Sequence, residues 1–166
     1  MIGVLLCALT TVFLLVPVPA SQPAPAPTHV GIAGVTRPDW IAFTATMARH
    51  YGVRPDFAIG VAFAEGSDPK TGRPFRFGHH GRYWLPWGIH EYVIRERHWP
   101  VWDIYVQTEV AVRALSIHIS RARRRHLGIS VAGAEDKALH RYNASCTAAY
   151  IRRVRQGQRM YGGLVR

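Results

Sequence analysis

The sequence predicts a mostly α-helical domain with a long loop-rich segment in its middle. Apolar residues recur at spacings of three and four in five stretches, which is the period of a helix with one buried face. No convincing alternation of apolar and polar residues marks a strand. Between residues 67 and 102 the helical period is lost, and Gly, Pro, His and aromatic residues accumulate. One domain is expected, because 166 residues with 48% hydrophobic content can bury one core but hardly two.

Two segments precede the expected domain, which we place at residues 36–166. Residues 1–20 carry no charge and end in Val18-Pro19-Ala20, a sequence typical of signal-peptidase cleavage. The missing basic n-region also allows an uncleaved anchor, although Pro17 and Pro19 stop the apolar run short of a membrane span. Residues 21–35 begin with alternating Pro and Ala, which predicts an extended spacer. We expect export to a periplasmic or extracellular location, with cleavage after Ala20 or tethering through residues 1–20.

The first two helices are predicted by their ends as well as by their period. A helix from about residue 36 has Pro38 near its start and Gly52 just past its end. Its apolar stripe consists of Trp40, Phe43, Met47 and Tyr51. A second helix covers residues 55–65, and Gly66 is a natural C-terminal stop.

The segment of residues 67–102 is predicted to be a long ordered loop with short elements. Loops of this length are usually functional or disordered, and the aromatic content argues against disorder. Its aromatic residues either line a cleft and stack on sugars or bases, or cap the core. They are Tyr83, Trp84, Trp87 and Tyr92. His79 and His80 are adjacent, and no carboxylate or cysteine spacing completes a ligand set, so we expect no metal and no cofactor.

Three further helices are predicted over residues 104–126, 134–141 and 148–161. The first of them ends in a group of arginines, which suits the negative end of the helix dipole. Cys146 is the single cysteine after signal cleavage, so no disulfide is expected, and a lone thiol is usually a small buried hydrophobe.

The net charge of +11, from 21 basic against 10 acidic residues, favours a polyanionic partner. For an exported protein the candidates are anionic wall polymers, peptide carboxylates and an anionic membrane surface. The alternative is a nucleic-acid-binding module that contacts phosphates through arginines at residues 121–125 and 152–155. The export signal argues against this alternative, so no nucleic acid is expected.

Glu65 is the most informative single residue. It ends an apolar helical run and is followed by a glycine. A carboxylate in the last turn of a helix feels the partial negative charge of unpaired carbonyls, and apolar neighbours add desolvation, so both effects favour its protonated form. A glutamic acid that is protonated near neutral pH can serve as a general acid. The alternative is an ordinary solvated acid at a helix end.

Four segments, taken in order, resemble the lytic transglycosylases that have a lysozyme-like domain, those of the soluble murein transglycosylase type. Ala64-Glu65-Gly66-Ser67 resembles the end of the family's catalytic helix, with the family's Ser-Gly reversed. Gly88-Ile89-His90-Glu91-Tyr92 resembles its Gly-Leu-Met-Gln-Ile turn. Residues 103–115 loosely match its Asp-Pro-x-x-Asn-Ile-x-x-Gly-x-x-Tyr-Leu segment. The clearest match is Ala138-Leu139-His140-Arg141-Tyr142-Asn143-Ala144 with residues 150–154, which resembles Ala-Leu-x-x-Tyr-Asn-Ala followed by Tyr-Val-x-x-Val.

The chain departs from the family pattern in two places. His90-Glu91 replaces the family's Met-Gln, so an amide that contacts sugar is exchanged for a group that can be charged. Residues 69–86 are basic and aromatic and lack the family's Ser-x-x-Gly-Ala-x-Gly approach. Both departures bear on which glycan the chain prefers.

The resemblance implies a lysozyme-like helical domain whose loop-rich segment forms a substrate cleft. It implies cleavage of the bond between N-acetylmuramic acid and N-acetylglucosamine in peptidoglycan glycan strands, leaving a 1,6-anhydro end. Glu65 would be the single general acid and base, with the sugar's N-acetyl oxygen stabilising the cation-like centre. Proteins of this type also serve secretion, conjugation and phage assemblies.

The resemblance and the aromatic segment together also provide the expected substrate-binding residues. Tyr142 is expected to place its hydroxyl near the Glu65 carboxyl and to orient it, or else to be a core tyrosine. Asn143 is expected to bond loop backbone. The full expected set is Ser67, Trp87, His90, Glu91, Tyr142 and Asn143.

Two alternatives to the lyase stay open at this point. A hydrolysing muramidase needs a second carboxylate at a defined separation, for which Asp68, Glu91 and Asp103 are candidates. A cationic wall-binding or nucleic-acid-binding module would need no catalytic acid at all.

Overall fold

A computed structural model describes residues 37–68, 70–71, 74–90, 93 and 103–165 of the chain. Within these ranges the chain is mostly helical, which confirms that part of the predicted fold class. Five α-helices and a short C-terminal 3₁₀ helix are present there. They are α1 (Arg37–His50), α2 (Pro55–Gly66), α3 (Ile104–Arg125), α4 (Val131–Tyr142), α5 (Ala148–Tyr161) and the 3₁₀ helix Gly162–Val165. The expected signal and spacer, residues 1–20 and 21–35, lie outside the described ranges.

Helix α2 lies in the centre of the domain. Nine of its twelve residues are buried, among them Phe57, Ile59 and Phe63. A helix that is apolar all round is covered on every side, and α2 is packed by α1, α5 and the 3₁₀ helix. Pro55 is accommodated in the first turn, where no intrahelical N–H bond is lost.

Two glycines allow α2 and α5 to approach closely. A Cβ added at Gly60 would lie 2.5 Å from the Val154 carbonyl oxygen, and one added at Gly157 would lie 2.7 Å from the Phe63 Cβ. Any side chain at either position would push the helices apart. These two glycines therefore set the short distance between α5 and α2.

Side-chain caps set the starts of the three C-terminal helices. Asp103 accepts hydrogen bonds from the backbone N–H groups of Tyr105 at 2.8 Å and Val106 at 3.3 Å, so it begins α3. Ser130 accepts from Gly133 N–H and begins α4. Helix α4 therefore starts three residues before the predicted residue 134. Thr147 accepts from Tyr150 N–H and begins α5, which has the predicted bounds.

The loop-rich segment contains a small antiparallel sheet, where no strand alternation was predicted. Its strands are β1 (Gly78–His80), β2 (Tyr83–Leu85) and β3 (Ile89–His90), in the order β1-β2-β3. Gly78 pairs with Leu85, and Tyr83 pairs with His90. Strands of two or three residues are too short to show a period of two, which is why the sequence pattern did not reveal them.

An aromatic cluster joins α1 to the loop-rich segment. The Trp40 ring lies 5.2 Å from Phe75, 5.4 Å from Phe77 and 6.1 Å from Trp87, measured between ring centroids. Both tryptophans donate their indole N–H to the buried Thr108 hydroxyl, each at 2.9 Å. This cluster anchors the turn between β2 and β3 to the core.

None of the helices in the described ranges combines the length and the apolar character needed to cross a membrane.

Candidate active site

The candidate site is built around Glu65, in the last turn of α2. Its neighbours in the helix, Ala64 and Gly66, are buried, whereas Glu65 is part-buried at the end of the apolar core. The carboxyl group therefore stands where an apolar interior meets an open pocket.

Two side chains from the α4–α5 region hold one oxygen of this carboxyl group. The Tyr150 hydroxyl donates to Glu65 Oε1 at 2.7 Å, and the Asn143 side-chain amide donates to the same oxygen at 3.3 Å. Tyr150 lies in the first turn of α5, and Asn143 follows the last residue of α4. The packing of α5 on α2 therefore sets the orientation of the carboxyl group.

The electrostatics favour a protonated Glu65. Burial raises the pKa of its carboxyl above the ordinary value of 4.5. Hydrogen bonds from Tyr150 and Asn143 and the positive charge of Arg153 each lower this pKa, but burial outweighs them. A carboxylic acid with a raised pKa is suited to donate a proton near neutral pH.

Gly88 lies against the other carboxyl oxygen. Its φ is +63°, and a Cβ added there would lie 2.5 Å from Glu65 Oε2. Both the positive φ and the close approach require glycine at this position. Gly88 begins the second of the four family-like segments, and it brings the β2–β3 turn onto the carboxyl group.

The carboxyl group opens into a pocket of about 450 Å³, which we call the Glu65 pocket. Its described lining comes from α2, from the segment that contains the small sheet and from the end of α4. It consists of Glu65, Arg76, Tyr83, Leu85, Gly88, Tyr142, Asn143, Ala144 and Ser145. Among these residues Glu65 is the sole carboxylate.

Two arginines fix the chain at the end of α2. Arg153 donates to the Ser67 carbonyl oxygen at 3.0 Å and to the Ser67 hydroxyl at 2.8 Å. Arg76 binds the Gly66 carbonyl oxygen through its backbone N–H at 2.8 Å and also lines the pocket. The Arg153 guanidinium and the Arg76 backbone N–H thus satisfy carbonyl groups at the end of the helix beside the acid.

Ser67 does not line the described part of the Glu65 pocket, where substrate binding was expected of it. It is buried, and its hydroxyl donates to the Phe63 carbonyl oxygen at 2.6 Å while it accepts from Arg153. Its hydrogen bonds stay within the protein, so its position gives it the role of holding the end of α2.

Tyr142 lies in the pocket as expected, but its hydroxyl does not bond Glu65. It donates instead to the Trp87 carbonyl oxygen at 2.9 Å. The expected orienting bond to the carboxyl group is made by Tyr150. Burial, and then the negative charge of Glu65, raise the pKa of both tyrosines, so both remain protonated donors.

Trp87 is a core residue, which was the alternative to its expected contact with sugar. Its side chain is fully buried and bonded to Thr108. Tyr83 lines the pocket together with Tyr142, and about half of the Tyr83 surface is exposed. Its ring stands perpendicular to that of His90, 5.1 Å away between centroids, so His90 supports Tyr83 from outside the described pocket lining. The expected residues Glu91 and Tyr92 lie outside the described ranges.

Neither described candidate for a second carboxylate lines the Glu65 pocket. Asp68 accepts a hydrogen bond from Lys70 N–H at 2.8 Å in the turn after α2, and this bond lowers the pKa of its carboxyl. Asp103 is buried and caps α3. Glu91, the third candidate, falls outside the described residues.

Asn143 has a double role that goes beyond the expected bond to loop backbone. Its side-chain oxygen accepts from the Ser145 N–H at 3.0 Å and from the Ser145 hydroxyl at 2.8 Å, while its amide nitrogen reaches Glu65. The local turn therefore fixes which way the amide points.

Tyr150, Arg76 and Arg153 were not predicted as site residues. A signal for Tyr150 was present, because it belongs to the fourth family-like segment and lies four residues before the buried Val154 on one face of α5. No comparable sequence signal marked Arg76, since its place depends on the path of the loop-rich segment.

Within the described residues, no group of three or more His, Cys, Asp or Glu side chains is arranged to hold a metal ion. Cys146 is a free thiol that packs against the core, and burial raises its pKa. Comparison of the chain with protein-family models, with curated proteins and with solved structures finds no match.

Proposed function

We propose that the protein is a lytic transglycosylase with a lysozyme-like domain that cleaves peptidoglycan glycan strands through Glu65. The observation that carries the proposal is the Glu65 carboxyl group itself. It has a raised pKa, it is held by Tyr150 and Asn143, and it opens into a pocket whose described lining has no other carboxylate.

In the proposed reaction the two oxygens of Glu65 have different tasks. Oε1 accepts both hydrogen bonds, so the proton of the neutral acid belongs on Oε2, beside Gly88. From there it is donated to the glycosidic oxygen as the bond to the anomeric carbon breaks. The carboxylate that remains then takes the proton of the C6 hydroxyl, whose oxygen closes the 1,6-anhydro ring.

A single carboxyl group is sufficient for this route. Hydrolysis with an attacking water needs a second carboxylate, about 5–9.5 Å from the first, as base or nucleophile. Of the candidates for that carboxylate, Asp68 and Asp103 lie within the described ranges, and both are engaged elsewhere, which supports the lyase over the muramidase. The alternative of a purely binding module gives no reason for a buried acid at a pocket.

Other pocket residues have places in the proposed complex. Tyr83 offers an exposed ring for stacking on a sugar face. Arg76 offers a cation beside the acid for a carboxylate of the muramic acid or its peptide. Export of the protein to the wall, by a cleaved signal or through a tether, belongs to the same proposal.

Replacement of Glu65 by glutamine tests the proposal directly. We expect Glu65→Gln to lower the rate of murein solubilisation by about 10²- to 10⁴-fold, the usual contribution of a general acid. The measurement is the release of soluble muropeptides from purified murein.

The matched control is Glu109→Gln, the same chemical change on the exposed face of α3, where Glu109 accepts a hydrogen bond from Tyr51. We expect its activity to equal that of the native chain. Equal activity of Glu65→Gln and the native chain would contradict the proposal.

A further inference from the structure

A second pocket, separate from the Glu65 pocket, lies between the C-terminal half of α3 and α4. It encloses about 340 Å³, within the range of roughly 300–1,000 Å³ that small-ligand sites occupy. We call it the basic pocket. Its lining has four formal positive charges, from Arg121, Arg125, Lys137 and Arg141, together with three imidazoles, from His118, His126 and His140. The remaining described lining residue is Ala122.

No carboxylate neutralises these charges among the described residues. Arg54 and Arg155, by contrast, form salt bridges with Asp56, Glu135 and Asp136. These four cations of the basic pocket are exposed to solvent, which screens part of their charge, and they share one concavity without a counter-charge. An anion bound there would supply that counter-charge.

His118 offers an unsatisfied hydrogen-bonding atom at this place. Its Nδ1 is inaccessible to solvent and has no hydrogen-bond partner. Arg121 from its own helix and Arg141 from α4 face the ring, and burial together with these two cations lowers its pKa. Its place beside Arg121 and Arg141 makes the His118 ring a reporter of an anion bound at these cations.

The helix dipole does not reverse the sign of the field. The last carbonyl groups of α3 contribute about half of an elementary negative charge near the pocket. The four cations exceed this severalfold, so the net field there attracts anions.

We propose that the basic pocket binds the phosphate group of a flexible phosphoester, such as a sugar phosphate or a polyol phosphate chain. Guanidinium groups match the geometry of phosphate oxygens, and a lysine adds a point charge. A concave pocket of this size holds a single phosphate group on a flexible carrier, whereas a stiff duplex needs a broad exposed surface.

The basic pocket and the Glu65 pocket both take lining residues from the end of α4. Arg141 lines the first and Tyr142 lines the second. The inference itself rests on the charge and shape of the basic pocket and does not require the proposed glycan cleavage.

The test is a titration of the full-length protein with inorganic phosphate, followed by the imidazole resonances of His118 in NMR spectra. We expect a saturable shift of these resonances. We also expect the double variant Arg121→Gln, Arg125→Gln to weaken binding by at least about tenfold, because each lost charged hydrogen bond contributes that much.

The matched control is the double variant Arg123→Gln, Arg124→Gln. It removes the same charge from the same helix, and both residues are exposed, as Arg121 and Arg125 are, but they lie outside the basic pocket. We expect less than about a twofold change in the dissociation constant. Lys137→Gln, on α4, gives a second variant that should weaken binding without altering α3. Equal losses in the two double variants, or no saturable shift at all, would overturn the inference.

Three further ligands distinguish the sources of the phosphate group. Poly(glycerol phosphate) should bind with the same dependence on Arg121 and Arg125 as inorganic phosphate does. Duplex DNA and phosphatidylglycerol vesicles should bind weakly and with equal losses in both double variants. Binding of DNA or vesicles that depends on the pocket arginines, with none of poly(glycerol phosphate), would overturn the assignment to a flexible phosphoester. Since no readout uses catalysis, failure of this inference and failure of the proposed enzyme are separate results.

Discussion

At the scale of single residues, the two carboxyl oxygens of Glu65 have unequal surroundings. Oε1 accepts from Tyr150 and Asn143, while Oε2 lies against Gly88. The hydrogen bonds stabilise the carboxylate and burial destabilises it, with burial the larger effect. The result is an acid that is held in one orientation and whose pKa is raised.

The raised pKa of Glu65 predicts how the stability of the protein changes with pH. The folded protein binds the Glu65 proton more tightly than the unfolded chain, whose value is 4.5. The protonated Glu65 therefore contributes its full stabilisation below pH 4.5. This contribution is lost as the pH rises through the pKa that Glu65 has in the folded protein. Glu65→Gln, which cannot ionise, should have a higher melting temperature than the native chain at pH 7.

That difference in melting temperature should shrink to nothing as the pH falls towards 4, which thermal unfolding at a series of pH values would measure. The Glu109→Gln control should show no such convergence, because Glu109 is exposed. A native chain that is more stable than Glu65→Gln at neutral pH would show that burial does not dominate at Glu65.

The hydrogen bond from Tyr150 to Glu65 predicts how a Tyr150 variant changes the pH dependence of activity. Its hydroxyl lowers the pKa of Glu65, so Tyr150→Phe should raise that pKa further. If the protonated acid is the active form, kcat/KM falls as the pH rises through the pKa of Glu65. The midpoint of this fall should therefore move to higher pH in the variant.

The control for Tyr150→Phe is Tyr161→Phe, on the same helix, where the tyrosine ring packs against Phe63 and Phe75 away from the carboxyl group. Its midpoint should match that of the native chain. A shift to lower pH in Tyr150→Phe would be inconsistent with a hydrogen bond that stabilises the carboxylate.

At the scale of elements, the contact between α2 and α5 places Tyr150 on Glu65. Gly60 and Gly157 stand where the two helices approach most closely. The distance between the helices and the geometry of the acid are therefore linked, although neither glycine touches the site.

We expect Gly157→Ala to destabilise the protein. The added Cβ would lie 2.7 Å from the Phe63 Cβ and 3.0 Å from the Gly60 Cα, atoms that move only if a helix moves. Overpacking of this kind costs about 1–3 kcal/mol, partly offset by about 1 kcal/mol of helix propensity. A net loss of up to about 2 kcal/mol follows, measurable by urea unfolding.

Gly163→Ala is the matched control, because a Cβ there has no atom within 4 Å. Its effect should stay within about 0.5 kcal/mol. An increase in stability for Gly157→Ala would mean that the two helices are not in close contact at this position.

The helices were the part of the fold that could be predicted from sequence. Helix α5 has its predicted bounds because Thr147 caps its start, and α2 was marked by Pro55 and Gly66. The three strands could not be predicted, since they are set by the turns around Gly81 and Gly88 and by the anchoring of Trp87 in the core.

The candidate site was predicted in part. Glu65 was recognisable because its helix is apolar up to the acid, and Asn143 was recognisable from its segment. The choice between Tyr142 and Tyr150 as the partner of Glu65 depends on how α4 and α5 pack, which no local pattern encodes. Contacts with Trp40 and Thr108 place Trp87 in the core, while Tyr83 lines the pocket.

At the scale of the whole molecule, charge is distributed unevenly. The net charge is +11. Some arginines form salt bridges with Glu135, whereas the arginines of the basic pocket form none with the described carboxylates. Composition predicted a polyanionic partner but did not indicate a pocket, because the basic pocket forms only where α3 packs against α4.

The central claim is cleavage by one carboxyl group without water as the attacking group. It predicts that muropeptides released in water enriched in oxygen-18 end in 1,6-anhydro sugars and carry no heavy oxygen, as read by mass spectrometry. Release should be lost in Glu65→Gln and retained in Glu109→Gln. Reducing ends that carry oxygen-18 would contradict the claim, because they would show that water attacks and that a second group activates it.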